Sequence, residues 1–370
     1  MNIVTSINKN FIQHFCSMCS SLILNSREEK IDIYVLHSDL GDNDINIIAV
    51  VLEDLLNDTV NIHFVEVEEN RFSSIPIIES HLSIQTLFRI LLTELLPSDI
   101  EKLIYLDSDL VLEDSISQLF SLEINDYYVA AVPDFNDELA KNQNISSGVD
   151  YFNSGVMLVN LKKWREGDML NKCLNYAFEN KEKLRFPDQD ILNGVLNGNW
   201  LKLDLSWNVT RMFYDRDEKD WEVPLQESIK IAKTNPKIIH YTTWKKPWFY
   251  LDDHPFKEKY FYYLNQTKFK YNQYFEKEIL LESDIVVFGA SLGGEKMEEF
   301  LSNEGLKVKF FTDNNEKKWG QTINGIEIIS PQKLQSMSNP CIVIASLYEK
   351  EISEQLEKMN YSKVVPLIYN

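Results

Sequence analysis

The sequence predicts an α/β protein built on a largely parallel sheet, followed by a second, smaller α/β domain. Three observations carry that reading. Strand-like and helix-like patterns alternate through the first two hundred residues, the order from which parallel sheets are made. A fresh strand-to-helix turn opens near residue 284, after a long aromatic stretch. The chain has 370 residues, more than the ~250–300 at which one hydrophobic core usually stops growing.

The elements follow in order. Strands are expected at Asn2–Ser6, Ile31–His37, Asn61–Val67 and Leu103–Leu106, short runs rich in apolar and β-branched residues. Between them the apolar spacing is helical at Phe11–Asn25, Asn43–Leu56 and Ile84–Leu95. Ser83 stands where an N-cap of the last helix belongs. Further pieces are Tyr127–Pro133, Gly155–Leu161, a helix at Met169–Asn180, and Ile238-Ile239-His240. From Pro247 to Phe275 the chain turns aromatic and polar and reads as a helical connector. Trp244, Trp248, Phe249 and Tyr250 suit two uses there, stacking on an acceptor sugar or packing the connector down. A second unit begins at Asp284-Ile285-Val286-Val287-Phe288-Gly289, with a helical stretch Lys296–Glu304 and a strand Val308–Phe311. The expected division is 1–265, a connector 266–280, and 281–370.

Composition narrows the function classes. With 44% hydrophobic and 25% charged residues, the chain is an ordinary globular protein. Its 57 acidic and 37 basic residues give a net charge of −20. That argues against nucleic acid, whose phosphates need a basic surface, and against docking on anionic lipid. No apolar run approaches the ~20 residues of a membrane span. Met1–Thr5 reads as a strand and not as a secretory signal, so a cytoplasmic protein is expected. Four cysteines are too few for a disulfide framework at this length. Cys16 and Cys19 form a C-x-x-C inside an apolar helical stretch, with no second ligand pair at zinc spacing. They read as buried structural thiols, as do Cys173 and Cys341.

The chemistry-bearing segment is Leu103-Ile104-Tyr105-Leu106-Asp107-Ser108-Asp109-Leu110-Val111-Leu112. A buried strand runs straight into two carboxylates one residue apart. In an open α/β sheet, ligands bind at the carboxyl ends of the strands. Asp-x-Asp there suits a hard divalent cation held together with substrate phosphates. The same tripeptide is also ordinary turn composition. His240 closes another apolar strand, and an imidazole with two carboxylates suits Mn²⁺. Lys246 follows close behind and supplies positive charge for a diphosphate.

At this point the chain resembles glycosyltransferase family 8. The matching segments are the strand running into Asn8-Lys9-Asn10-Phe11, then Thr86-Leu87-Phe88-Arg89 and Tyr105-Leu106-Asp107-Ser108-Asp109. Tyr151-Phe152-Asn153-Ser154-Gly155-Val156, Pro187 through Asn193, Trp207-Asn208, and His240 through Trp248 complete the set, in family order. The resemblance implies a GT-A-type, Rossmann-like nucleotide-sugar transferase domain, with a small Rossmann-like α/β domain attached. It implies a UDP-hexose donor, Mn²⁺ with Mg²⁺ as second choice, and transfer with retention. Asp107, Asp109 and His240 would be metal ligands. Thr5, Ser6, Asn8 and Asn10 would line the uridine pocket, and Ser108 would lie in the donor site between the carboxylates. Arg89 and Lys246 would face the diphosphate and donor sugar. Asn153, Asp188 and Gln189 would meet the sugar hydroxyls, with Gln189 beside the anomeric centre. An amide is a poor nucleophile, so a front-face reaction is expected, with Asp190 as the alternative, a covalent nucleophile.

Two positions depart from the family. Asn8 stands where the family commonly has Asp, and Thr243 where it often has Gly. Two other function classes stay open at this stage. One is a non-catalytic UDP-sugar-binding or partner-stabilising subunit. The other is a nicotinamide enzyme resting on Gly289-Ala290-Ser291-Leu292-Gly293-Gly294 and Asp313, whose spacing differs from G-x-G-x-x-G. From family frequency, galactose is the first expected hexose and glucose the second. The acceptor would be a carbohydrate, and one carried on a surface glycoprotein is at least as well supported as a lipid.

Overall fold

The computed structural model describes residues 1–27, 29–72, 84–135, 150–243, 246–248, 252, 254–270, 280–346, 348–361 and 364–365. They form two compact units, Met1–Trp244 with His254–Phe269, and Lys245–Asp253 with Lys270–Asn370.

The first unit is built on a seven-stranded sheet and a three-stranded one. The strands in chain order are β1 (Asn2–Ser6), β2 (Ile31–His37), β3 (Val60–Glu66), β4 (Lys102–Leu106), β5 (Leu110–Leu112), β6 (Val129–Pro133), β7 (Phe152–Asn160), β8 (Leu201–Lys202), β9 (Val209–Thr210) and β10 (Ile238–His240). The large sheet has the order β3-β2-β1-β4-β7-β6-β8, and the small one β5-β10-β9. Strands β3, β2, β1 and β4 run parallel. Only β7 opposes its neighbours, so the expected largely parallel sheet is found.

Both faces of the large sheet are covered, which is why its central strands are apolar throughout. Side chains alternate across the pleat. Ile3, Ile33, Ile104 and Leu106 pack on one side with Phe15, Met18 and Leu22 of the helix Ile12–Asn25. Val4, Leu36, Leu103 and Tyr105 pack on the other with Phe88, Leu91 and Trp164. All four cysteines are free and buried. Burial pushes the Cys19 and Cys173 thiols up to about 12, which keeps them protonated and inert.

One expectation changed in its winding. Ile84–Leu95 is not one α-helix but a 3₁₀ run, Ile84–Leu91, leading into a single α-turn, Leu92–Leu95. Apolar periodicity does not separate these two windings. The proposed cap Ser83 lies outside the described residues, as do Trp244, Phe249 and Tyr250 of the aromatic stretch. Of the connector, the described helix is Lys257–Leu264, while Trp248 is buried.

The second unit carries a six-stranded sheet. Its strands are β11 (Asp284–Phe288), β12 (Val308–Thr312), β13 (Thr322–Ile323), β14 (Ile326–Ile329), β15 (Pro340–Ile344) and β16 (Val364–Val365). The order is β13-β14-β12-β11-β15-β16, parallel except for the β13–β14 hairpin. The order reverses beside β11, as in half of a doubly wound fold. The turn after β11 needs glycine on two counts. Gly289 has φ +122°, and a Cβ on Gly294 would stand 1.9 Å from the Gly289 carbonyl oxygen. Asp313 is fully engaged, accepting from the Ala290 and Asn315 N–H groups and pairing with Lys318 at 2.8 Å. Burial works to raise its pKa, but Lys318 and the two N–H groups hold it below the usual carboxylate value. No helix among the described residues is long and apolar enough to cross a membrane.

Candidate active site

Strand direction gathers the candidate residues. The parallel strands β1 and β4 end at Ser6 and Leu106, so Thr5 through Asn10 and Asp107 through Asp109 share the carboxyl edge of the sheet. Strand β7 runs the other way and starts at that edge, which brings Asn153, Ser154 and Gly155 there too.

Asp107, Ser108 and Asp109 are the crossing from the large sheet to the small one. The Asp107 N–H donates to the Gly155 carbonyl at 2.8 Å, continuing the β4–β7 ladder by one residue. Strand β5 then pairs antiparallel with β10, setting His240 opposite Leu110. The Tyr241 N–H donates to the Asp109 carbonyl at 2.9 Å. The ligand atoms of Asp107, Asp109 and His240 therefore all lie within 4.8 Å of one another. His240 Nε2 is 3.2 Å from Asp109 Oδ1 and 3.7 Å from Asp107 Oδ2.

This donor set fits a divalent cation. Two carboxylates and an imidazole converge on a small volume, and that volume exists because residue 155 has no side chain. A Cβ on Gly155 would stand 2.2 Å from His240 Cε1 and 2.6 Å from Asp107 Oδ2. The ring nitrogen among oxygen ligands suits a cation that accepts both kinds of donor.

Arg89 braces this centre from beneath. Its side chain is 2% exposed and every nitrogen of the guanidinium has a partner. Nε donates to the Thr86 carbonyl, Nη1 to the Ser154 carbonyl and hydroxyl, and Nη2 to Asp107 Oδ1 at 2.6 Å. Asp188 lies 3.2 Å from Nη1, and the guanidinium sits 4.3 Å from the Tyr105 ring centroid. Burial alone would lower the Arg89 pKa, but Asp107 and Asp188 reverse this and raise it. Burial raises the Asp188 pKa above the usual value, with Arg89 opposing. The family resemblance turns Arg89 toward the diphosphate; in this structure it meets the site through Asp107, Asp188 and Ser154.

The helix Pro187–Leu196 presents its first turn to this edge. Gln189 Oε1 accepts from the Ser154 N–H at 3.0 Å, and its Nε2 donates to Asp134 at 3.1 Å. Asp190 is fully buried. One of its oxygens accepts from the Tyr151 hydroxyl at 2.6 Å, the other from the Arg185 and Phe186 N–H groups. One oxygen thus caps the loop before the helix, and the other ties the helix start to Tyr151 beside β7. Burial raises the Asp190 pKa despite these bonds.

At the end of β1, Thr5 is buried and its hydroxyl has no hydrogen-bond partner among the described residues. A buried hydroxyl without a partner costs free energy unless a ligand supplies one. Ser6 accepts from the Tyr105 hydroxyl at 3.1 Å. Asn8 caps the short 3₁₀ turn Lys9–Phe11, accepting from the exposed Asn10 N–H at 3.0 Å. Ser108 is buried between the two carboxylates. Lys246 belongs to the second unit, where its ammonium lies 5.8 Å from the Trp248 ring centroid.

Thr243, the departure from glycine, holds φ +74°. The backbone keeps the left-handed conformation that glycine takes without penalty, although the residue is β-branched. Thr243→Gly is therefore expected to stabilise the protein by ~0.5–1 kcal/mol, strain relief less the added chain entropy of glycine. Equilibrium denaturation checks this, and a loss of stability would show that Thr243 side-chain contacts outweigh its backbone strain.

Sequence reading left Asn208, Ser154 and Gly155 without roles. Asn208 is wholly buried. It lies 2.9 Å from His240 Nδ1 through its oxygen, and its Nδ2 donates to Asn153 Oδ1 at 2.8 Å. The Gly155 N–H also donates to Asn153 Oδ1, at 3.1 Å. The sequence signal for them was their place inside the motifs that carry the family resemblance.

Comparison with known proteins agrees with this architecture. The family model described as Glycosyl transferase family 8 matches residues 2–252, and one described as C2185-like, N-terminal matches residues 281–366. General stress protein A of Bacillus subtilis is 29% identical over 273 residues, covering 72% of this chain and 94% of that protein. Lipopolysaccharide 1,2-glucosyltransferase of Escherichia coli is 27% identical over 252 residues, covering 67% of this chain and 73% of that protein. The crystal structure of galactosyltransferase LgtC with donor and acceptor sugar analogs superposes with a TM-score of 0.67 at 25% identity, over 73% of this chain and 97% of that one. Glycosyltransferase GlyE of Streptococcus pneumoniae shares the fold over 99% of this chain and 95% of its own, with a TM-score of 0.54 at 17% identity. With a GT-A-type α/β unit followed by a second α/β unit, the chain belongs to glycosyl transferase family 8 and is a glycosyltransferase.

Proposed function

We propose that this glycosyltransferase moves a hexose, galactose first and glucose second, from a UDP-sugar to a carbohydrate acceptor with retention of configuration. The observation that carries this reading is the convergence of Asp107, Asp109 and His240 at the carboxyl edge of a parallel sheet. A glycan on a surface glycoprotein is the acceptor class we favour. Residues 1–265 are taken as the catalytic part, 266–280 as a connector and 281–370 as an attached domain; the two family matches support that division.

Asp107, Asp109 and His240 would hold Mn²⁺, whose charge offsets that of the diphosphate when bound. Lys246 would add a second positive charge at the leaving group. Thr5, Ser6, Asn8 and Asn10 offer a hydroxyl- and amide-lined edge to the uridine. Asn153 and Asp188 would position the sugar hydroxyls. Gln189 Oε1, which accepts from the Ser154 N–H, would supply the oxygen beside a developing oxocarbenium. The acceptor oxygen bonds to C1 on the face that UDP leaves, and its proton passes to the departing phosphate oxygen. The commitment of both Asp190 oxygens, one to the Tyr151 hydroxyl and one to the Arg185 and Phe186 N–H groups, favours this front-face route over a covalent one.

The test is a screen of UDP-hexoses for hydrolysis and transfer in Mn²⁺ and in EDTA, with the product read by NMR. A UDP-hexose donor, activity lost in EDTA and an α linkage are expected from an α-linked donor. A β product would overturn retention, and undiminished activity in EDTA would overturn the metal reading.

A further inference from the structure

We infer that Asn208 is a positioning residue that fixes the tautomer of His240, through a hydrogen-bond relay starting at the backbone N–H of Gly155. The inference rests on the reading of His240 as a metal ligand and goes beyond it.

The relay can be followed one polar atom at a time. A backbone N–H is only ever a donor, so the atom of Asn153 lying 3.1 Å from Gly155 N must be its oxygen. Asn208 approaches that same oxygen at 2.8 Å and has to present its NH₂. The Asn208 oxygen then points the other way, 2.9 Å from His240 Nδ1. Facing an acceptor, Nδ1 carries the proton. In the neutral ring the other nitrogen, Nε2, is left with its lone pair. Nε2 is the atom on the side of Asp109 and Asp107, where a cation would sit.

Neither amide can turn round without cost. Reversing Asn208 would set its oxygen against the Asn153 oxygen and its NH₂ against Nδ1–H. The residue is fully buried, so the lost bonds would not be replaced by water. Without the relay, the ring is free to carry its proton on Nε2 and donate it to Asp109, which closes the nitrogen to a metal. The relay also fixes Asn153. Its oxygen already accepts twice, so its NH₂ is what it offers a donor-sugar hydroxyl.

The test uses the full-length protein. Mn²⁺ affinity is measured by titration calorimetry for the wild type, Asn208→Leu and Asn208→Asp, with thermal melting as the check on folding. Asn208→Leu removes the acceptor and is expected to weaken Mn²⁺ binding by ~10–100-fold, the usual effect of losing the outer partner of a ligating histidine. Asn208→Asp keeps an oxygen at Nδ1 but sets its second oxygen against that of Asn153, so it is expected to recover part of that loss. Independently of any variant, ¹⁵N-histidine NMR of the Mg²⁺-saturated wild type should show His240 protonated on Nδ1. A proton on Nε2, or a folded Asn208→Leu protein binding Mn²⁺ within twofold of wild type, overturns the relay while leaving the metal site standing. A wild type that binds neither Mn²⁺ nor Mg²⁺, with or without UDP, overturns the metal reading and the relay with it.

Discussion

Asp109→Ala is expected to abolish sugar transfer and to leave the protein folded. Its side chain lies within the group that would hold the cation, 3.2 Å from His240 Nε2. Its structural bond, to the Tyr241 N–H, is made by the backbone carbonyl and survives the change. Removing a direct ligand should cost more than the ~10²–10³-fold of a single lost electrostatic donor, so activity should fall below detection in Mn²⁺. The effect on UDP is the sharper measurement. Calorimetry in Mn²⁺ should show weakened UDP binding by the variant, whereas in EDTA the two proteins should bind UDP alike. Equal binding in Mn²⁺ would remove Asp109 from the metal site.

The sequence makes this carboxylate pair legible for a physical reason. A buried parallel strand must be apolar along its length, so the first charged residue after Leu103–Leu106 marks where the strand leaves the sheet, at the edge where ligands bind. His240 stands out by the same logic after Ile238 and Ile239. What the sequence does not disclose is the bracing. Gly155 meets the Asp107, Asp109 and His240 cluster only because β7 runs antiparallel to β4 with Leu106 opposite Val156. Asn208 meets His240 only because β9 joins the small sheet beside β10. Register between strands about thirty to fifty residues apart leaves no local trace. Arg89 illustrates the same limit. A cation among Leu87, Phe88, Ile90 and Leu91 announces an unusual burial, but which carboxylates it serves depends on the fold.

Arg89→Leu is expected to be the most destabilising single change in this region. The guanidinium is enclosed and holds Asp107 and Asp188 at 2.6 and 3.2 Å. Taking out one side of a buried ion pair strands the other, at a typical cost of ~3–5 kcal/mol. The cation–π contact with Tyr105 is lost as well. The cost should depend on pH in a definite direction. Burial already raises the Asp188 pKa, and Arg89 is the group that opposes the rise. Without Arg89 the folded-state pKa climbs further above the unfolded value of about 3.9. A carboxyl shifted that way binds more protons folded than unfolded, so stability falls as pH rises between the two values. In metal-free protein, the gap in melting temperature between wild type and Arg89→Leu should therefore be narrow near pH ~4 and widen toward neutrality. Arg89→Lys should fall between, because one ammonium cannot reach the Thr86, Ser154, Asp107 and Asp188 acceptors together. A gap that stays constant with pH would mean that the loss is one of packing alone, and that Asp188 does not depend on Arg89 for its charge.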